Sequence, residues 1–214
     1  LSDDAPGTIA RRGLLLVLSS PSGGGKTSVG RALREADANL HLSISLTTRA
    51  ARPGETDGVD YHFVDEPTFL RAIEANAMVE HAQVYAHRYG TPRAPVAQAL
   101  DRGHDMLFDI DWQGTQQLRA ALPGDVVSIY LLPPGMDELA RRLAARGQDD
   151  AAVVARRMTQ AAAEIAHWNE YDYVLVNRDF DATVAAARSI LAAERLRRSR
   201  QTGLAPFVAS LLGN

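Results

Sequence analysis

The sequence predicts an α/β domain built on a mostly parallel sheet with helices on both faces. Three observations carry that prediction. Short apolar runs alternate with segments of helical periodicity along most of the 214 residues. The first clear run, residues 14–18, leads into the glycine-rich stretch SSPSGGGKT at 19–27. Polar groups gather at the ends of later runs, Asp109 and Asp111 after one and Asn177 after another. In parallel sheets the C-terminal strand ends are where ligands lie.

A strand, a glycine-rich turn and a helix opening on Lys and Thr form a phosphate cradle. Inward-turned N–H groups and the positive end of a helix favour an anion. Ser20, Pro21, Ser22, Gly23, Gly24 and Gly25, followed by Lys26, Thr27 and Ser28, are therefore the candidate triphosphate site. Lys26 can reach the outer phosphates, and the Thr27 hydroxyl suits a Mg²⁺ ion carried by the nucleotide. Ser20 stands where the usual G-x-x-x-x-G-K-[ST] spacing has its first glycine. The competing reading is a glycine-rich surface turn that happens to contain a lysine.

Composition narrows the classes. The 23 Lys plus Arg against 26 Asp plus Glu give a net charge of −3, which offers no general support for a nucleic-acid polymer or an anionic membrane as partner. Lys26 is the sole lysine, which argues against an incidental position. With no cysteine, disulfides and thiolate chemistry are excluded, and a cytoplasmic location is the expectation. No apolar run reaches transmembrane length. Residues 1–12, polar and carrying Arg11 and Arg12, are expected to form a short flexible arm.

After the loop, residues 28–38 predict a helix with Val29 and Leu33 facing inward. Residues 41–48 read as a strand ending in an arginine-bearing turn at 49–55. A short strand at 61–64, a helix at 66–76 and a strand at 78–85 follow. Thr91 as N-cap and Pro92 at the first helical position predict a helix to about residue 100. Residues 42–92 thus form a small inserted subdomain. The core pattern returns with strands at 106–111 and 126–132 around a helix at 113–121. Helices at 136–146 and 150–168, a strand at 173–177 and a basic helix at 181–200 complete the chain.

Between the loop and Asp109 lie groups able to hold a second phosphate-bearing molecule. Arg49 and Arg52 can clamp an anion with their forked donors, or be solvent-facing charges before a turn. Tyr61 and Tyr89 can donate to phosphate or pack in a core, and Ser45 and Thr91 add short donors. Glu80 and Asp111 accept hydrogen bonds only, so they complement the N1–H and amino group of guanine and repel the N1 lone pair of adenine. Glu80 also reads as a solvated strand-edge charge.

In order along the chain, SSPSGGGKT, SISLTTRAARPGE, GVDYHFV, MVEHAQV, RYGTPR, FDIDWQG, RRLAARG and YDYVLVN together resemble the guanylate kinase family, from Gly13 to Ala209. The resemblance implies a P-loop nucleoside monophosphate kinase fold: a core (13–41, 93–133 and 166–214), a GMP-binding subdomain (42–92) and a helical lid (134–165). It implies transfer of the γ-phosphoryl group from ATP·Mg²⁺ to GMP or dGMP. Ser45, Arg49, Arg52, Tyr61, Tyr89 and Thr91 match the acceptor set, and Glu80 and Asp111 the guanine-reading acids. Lys26 and Thr27 match the donor-phosphate lysine and the hydroxyl on the metal side, with Asp109 near the ion or its waters. Arg142, Arg146 and Arg157 resemble lid arginines that close on the transferring group; without the resemblance they read as a solvated basic face. Asn177 looks like the residue beside the ATP base.

Relatives usually carry Gly or Ala at Ser20, and many have another residue type at Arg88. A family-like protein-binding module, a P-loop kinase for another small phosphate, and a homodimer are the remaining alternatives for activity and partners.

Overall fold

The computed structural model describes residues 9–84, 86–144 and 151–213. Its centre is a five-stranded parallel sheet in the order β2-β7-β1-β8-β9. These strands are β1 (Leu15–Ser19), β2 (Leu40–Leu42), β7 (Asp105–Asp109), β8 (Val126–Leu132) and β9 (Tyr173–Val176). A second, four-stranded sheet runs β4-β3-β6-β5. It comprises β3 (Leu46–Thr47), β4 (His62–Phe63), β5 (Met78–Val84) and β6 (His87–Pro92). The stretch read as one strand over 41–48 divides between the two sheets, with Leu42 in the first and Leu46 in the second.

Strand alternation sends β1 side chains to opposite faces, and both faces are buried. Leu14, Leu16 and Leu18 pack with Val29 and Leu33 of α1 (Lys26–Ala36) and with Ala187 and Leu191 of α7 (Phe180–Arg195). Leu15 and Val17 pack on the other side with Val96 and Leu100 of α3 (Arg93–Asp101) and Leu118 of α4 (Trp112–Ala121). Each fully buried Leu contributes roughly 1.5–3 kcal/mol, so β1 is fixed firmly and holds the mouth of the glycine loop in register.

The other helices are α2 (Glu66–Glu74), α5 (Met136–Ala144), α6 (Ala151–Ile165) and α8 (Leu204–Leu211). Asp65 caps α2 by accepting from Thr68 N at 2.8 Å, and Asp179 caps α7 through Ala182 N at 2.8 Å. Leu139 and Leu143 of α5 meet Ala161 of α6 in a small core of their own.

Three expectations need correction. Thr91 lies in β6 and does not cap α3; the capping residue is Pro92, which makes no side-chain bond, because the Thr91 hydroxyl is engaged elsewhere. Residues 9–12, placed in a flexible arm, are tied down: Arg11 forks onto Asp105 at 2.6 and 2.9 Å, Arg12 onto Asp125 at 2.9 Å, and Arg12 N donates to Arg200 O at 2.7 Å. The basic segment is a helix ending at Arg195, a short 3-10 turn (Arg198–Arg200) and then α8, a helix absent from the sequence reading.

Candidate active site

The glycine loop connects β1 to α1 at the C-terminal edge of the parallel sheet. Gly23 and Gly25 have φ of 85° and 100°, which side chains strongly disfavour. A Cβ on Gly25 would also lie 2.6 Å from the Asn177 amide nitrogen. Ser20, Pro21, Ser22, Gly23, Gly25, Lys26, Thr27 and Ser28 line one cavity of about 230 Å³, closed by Asp111, Trp112, Tyr130 and Glu164. Ser20 is accommodated: its hydroxyl donates to Pro21 O at 3.0 Å, and a Cβ on Gly24 would collide with its side chain at 2.7 Å.

Carboxylates stand against the donors of this loop. Asp109, at the end of β7, lies 3.0 Å from Lys26 Nζ through one oxygen and accepts from Thr27 Oγ1 at 3.0 Å through the other. Glu164 of α6 accepts from Ser22 N at 3.1 Å. Burial holds the Glu164 carboxyl above its usual range, against the opposing pull of the Ser22 bond and the Lys26 charge.

The second cluster sits on the four-stranded sheet. Arg49 makes a two-pronged pair with Glu55 at 2.9 and 2.8 Å, and its guanidinium carbon stands 5.4 Å from the Tyr61 ring centroid and 5.9 Å from that of Phe63. Glu55 and then Tyr89 strengthen its hold on its proton. The Tyr61 and Tyr89 rings meet edge-on at 5.9 Å. Burial raises the Tyr61 phenol above its usual value, the neighbouring Tyr89 adds to that, and the Arg49 charge opposes it. Arg52 is exposed at the turn, where its backbone N–H donates to Glu55 at 2.8 Å.

Glu80 and Thr91 face each other across β5 and β6. Thr91 Oγ1 donates to Glu80 at 2.6 Å, and Ser45 Oγ stands 3.2 Å from Thr91 Oγ1. Glu80 is buried, so the solvated-edge alternative fails; burial raises its carboxyl above the usual range, Thr91 opposes this and the Asp111 charge adds to it. Gly114 leaves room for the Glu80 carboxylate, since a Cβ there would stand 3.1 Å from Glu80 Oε2. Asp111 lies beyond the strand and caps α4, accepting from Gly114 N at 3.0 Å.

A guanylate kinase family model matches residues 12–194. The chain is 54% identical to the guanylate kinase of Zymomonas mobilis over 204 residues, covering 95% of this chain and 94% of that one. It is 56% identical to that of Nitrobacter winogradskyi over 203 residues, covering 95% and 93%. The crystal structure of guanylate kinase from Anaplasma phagocytophilum superposes with a TM-score of 0.77 at 40% identity, over 94% of this chain and 96% of that one. The chain belongs to the guanylate kinase family. It is an ATP:GMP phosphotransferase, giving ADP with GDP or dGDP.

Asn177 and Arg142 both make contacts at the loop's side of the sheet. Asn177 is buried and braces the loop: its amide donates to Gly24 O at 3.0 Å and accepts from Thr183 Oγ1 at 3.1 Å. Arg142 donates to Glu138 at 2.7 Å and reaches Asn177 O at 3.4 Å, at the base of the helical segment. Arg157 is half-buried on α6, and Arg146 lies outside the described residues. Sequence reasoning missed Glu55, although an acid six residues after Arg49 in the same turn was a usable signal. It also missed Glu164, which meets the loop across 142 residues and leaves no local pattern. No helix among the described residues is long and apolar enough to cross a membrane.

Proposed function

We propose that the glycine loop with Lys26 holds the donor ATP, and that Ser45, Arg49, Arg52, Tyr61, Tyr89 and Thr91 hold the phosphate and sugar side of GMP, with Glu80 and Asp111 reading its base. The observations that carry this division are Asp109 at the end of β7, bridging Lys26 and Thr27 of the loop, and the buried Glu80–Thr91 pair on the second sheet. The four-stranded sheet, built from residues 46–92, supports an acceptor subdomain, and α5 with α6 supports a lid over 134–165.

A GMP phosphate oxygen attacks the γ-phosphorus of ATP, and the bond from that phosphorus to the β–γ bridging oxygen breaks, leaving ADP. The acceptor oxygen is already anionic, so no side-chain nucleophile takes part. Catalysis is alignment plus relief of repulsion between two anions. Lys26 and Arg49 supply fixed positive charge, and Arg142, Arg146 and Arg157 add to it as the lid closes and excludes water.

The family works on ATP with Mg²⁺. Among the described residues no group of three or more His, Cys, Asp or Glu side chains could hold a metal ion. That suits magnesium, which keeps most of its waters and phosphate ligands and takes one or two protein oxygens. Thr27 directly and Asp109 through water are the hard oxygen donors that fit, and the ion would neutralise phosphate charge there.

The test is ADP release with ATP·Mg²⁺ and each nucleoside monophosphate in turn, for the parent, Lys26→Ala and Arg49→Ala. GMP-dependent turnover is expected in the parent. Losses of about a hundredfold or more are expected in both variants, with folding retained. Turnover unaffected by Arg49→Ala would remove that residue from the site.

A further inference from the structure

We propose that Glu164 is a positioning residue for the donor site: its carboxylate occupies the Ser22 N–H that a nucleotide phosphate would take, and so sets how tightly the loop accepts ATP. The proposal rests on the reading of the loop as the ATP cradle. Glu164 lies on the last turn of α6, 142 positions from Ser22, yet its Oε2 accepts the Ser22 N–H at 3.1 Å and it lines the same cavity as the loop. A single N–H serves one strong acceptor at a time, so a carboxylate and a phosphate oxygen entering this cavity compete for it.

The contact is poised to yield. Glu164 is only partly buried and the Ser22 bond it accepts is exposed to solvent. Tyr130 lines the same cavity, and its buried hydroxyl has no hydrogen-bond partner among the described residues. Three residues beyond Glu164, His167 stacks on Trp112 at 3.8 Å with the rings 7° apart. Trp112 follows Asp111 at the start of α4, so the turn after α6 packs against that helix end.

Glu164→Ala and Glu164→Gln proteins titrated with a non-hydrolysable ATP analogue and Mg²⁺ in a calorimeter test this, with thermal melts alongside. Loss of one competing charged hydrogen bond should tighten analogue binding about three- to tenfold. The alanine variant should gain most; glutamine keeps an acceptor and loses the charge, and should fall between. KM for ATP should drop in step, with a smaller change in KM for GMP. Binding unchanged or weaker in the alanine variant at an unchanged melting temperature would overturn the proposal. If that variant melts early, the glutamine variant decides by the same criterion. A parent protein that bound no analogue would sink the cradle reading and this one together, whereas normal parent binding with no tightening would sink this one alone.

Discussion

Thr91 donates its hydroxyl to Glu80 at 2.6 Å between two paired strands, and the acceptor is almost wholly buried. The bond leaves Glu80 Oε2 facing α4, where Gly114 leaves room and Asp111 stands nearby. One carboxylate oxygen is thus held by Thr91, and on the proposed reading the other meets the base. A purine offering N–H donors satisfies it; a purine offering a lone pair leaves it desolvated and repelled.

Glu80→Gln should therefore relax base selection more than it weakens ATP binding. The amide can still accept from Thr91, so the strand pair survives, but it presents a neutral group to the base. The expected change in the GMP-to-AMP ratio of kcat/KM is about 2–4 kcal/mol, or 30- to 1000-fold. The check is steady-state kinetics with both monophosphates. A preference unchanged by the substitution would assign guanine recognition elsewhere.

Asn177→Ala separates two roles for one residue. A residue beside the ATP base would change the preference between ATP and GTP as donor. The observed bonds to Gly24 O and from Thr183 instead predict a loss of about 1–3 kcal/mol of stability. A raised KM for ATP should accompany it, with donor-base preference kept. Melting curves and donor competition measure both. A shifted ATP-to-GTP preference at constant stability would restore the base-side role.

Asn177 also shows where sequence is legible and where it stops. The loop, its strand and its helix were legible because glycine geometry and apolar alternation are local. Glu80 was visible only as an acid that could equally be a solvated strand-edge charge, and its burial became plain only once β5 paired with β6. The bracing of Gly24 by Asn177 was not legible, because a contact across 153 positions has no periodicity. The same holds for Thr91: Thr-Pro before a helix reads as a cap, and only the pairing of β5 with β6 turns its hydroxyl toward Glu80. Arg11 and Arg12 read as arm charges because Asp105 and Asp125 are remote in sequence.

Those arginines lead to a stability prediction. Asp105 is fully buried and accepts from Arg11, from Arg195 Nε at 2.6 Å and from Leu14 N at 2.9 Å. Arg195 in turn reaches Asp37 at 2.6 Å, tying the end of α1 to α7. Asp105→Ala strips both arginines of a shared counter-charge and should cost about 3–5 kcal/mol, read as a lower urea midpoint. GMP-dependent turnover at low temperature should persist, since the network lies at the strand ends opposite the loop. A loss below about 1 kcal/mol would mean that the ion pairs act as if solvated.

The raised Glu80 carboxyl makes a further, pH-resolved prediction. Folding buries this acid, so the folded chain holds its proton more tightly than the unfolded chain, whose glutamates titrate near 4.3. Between that value and the raised one the native state binds more protons, so this group's contribution makes stability fall as pH rises through the window. The penalty of the buried charge grows as pH rises through that window; below about pH 4 it is gone. Glu80→Gln removes the titration while keeping an acceptor for Thr91. The variant should therefore melt above the parent at pH 7, by about 2–4 °C per kcal/mol in a chain of this size. The advantage should shrink as pH falls toward 4. Every other acid is common to both proteins, so its direct effect largely cancels in the difference. A gap that stayed constant from pH 7 to 4 would mean the substitution acts through packing, and the charge penalty at Glu80 would be refuted.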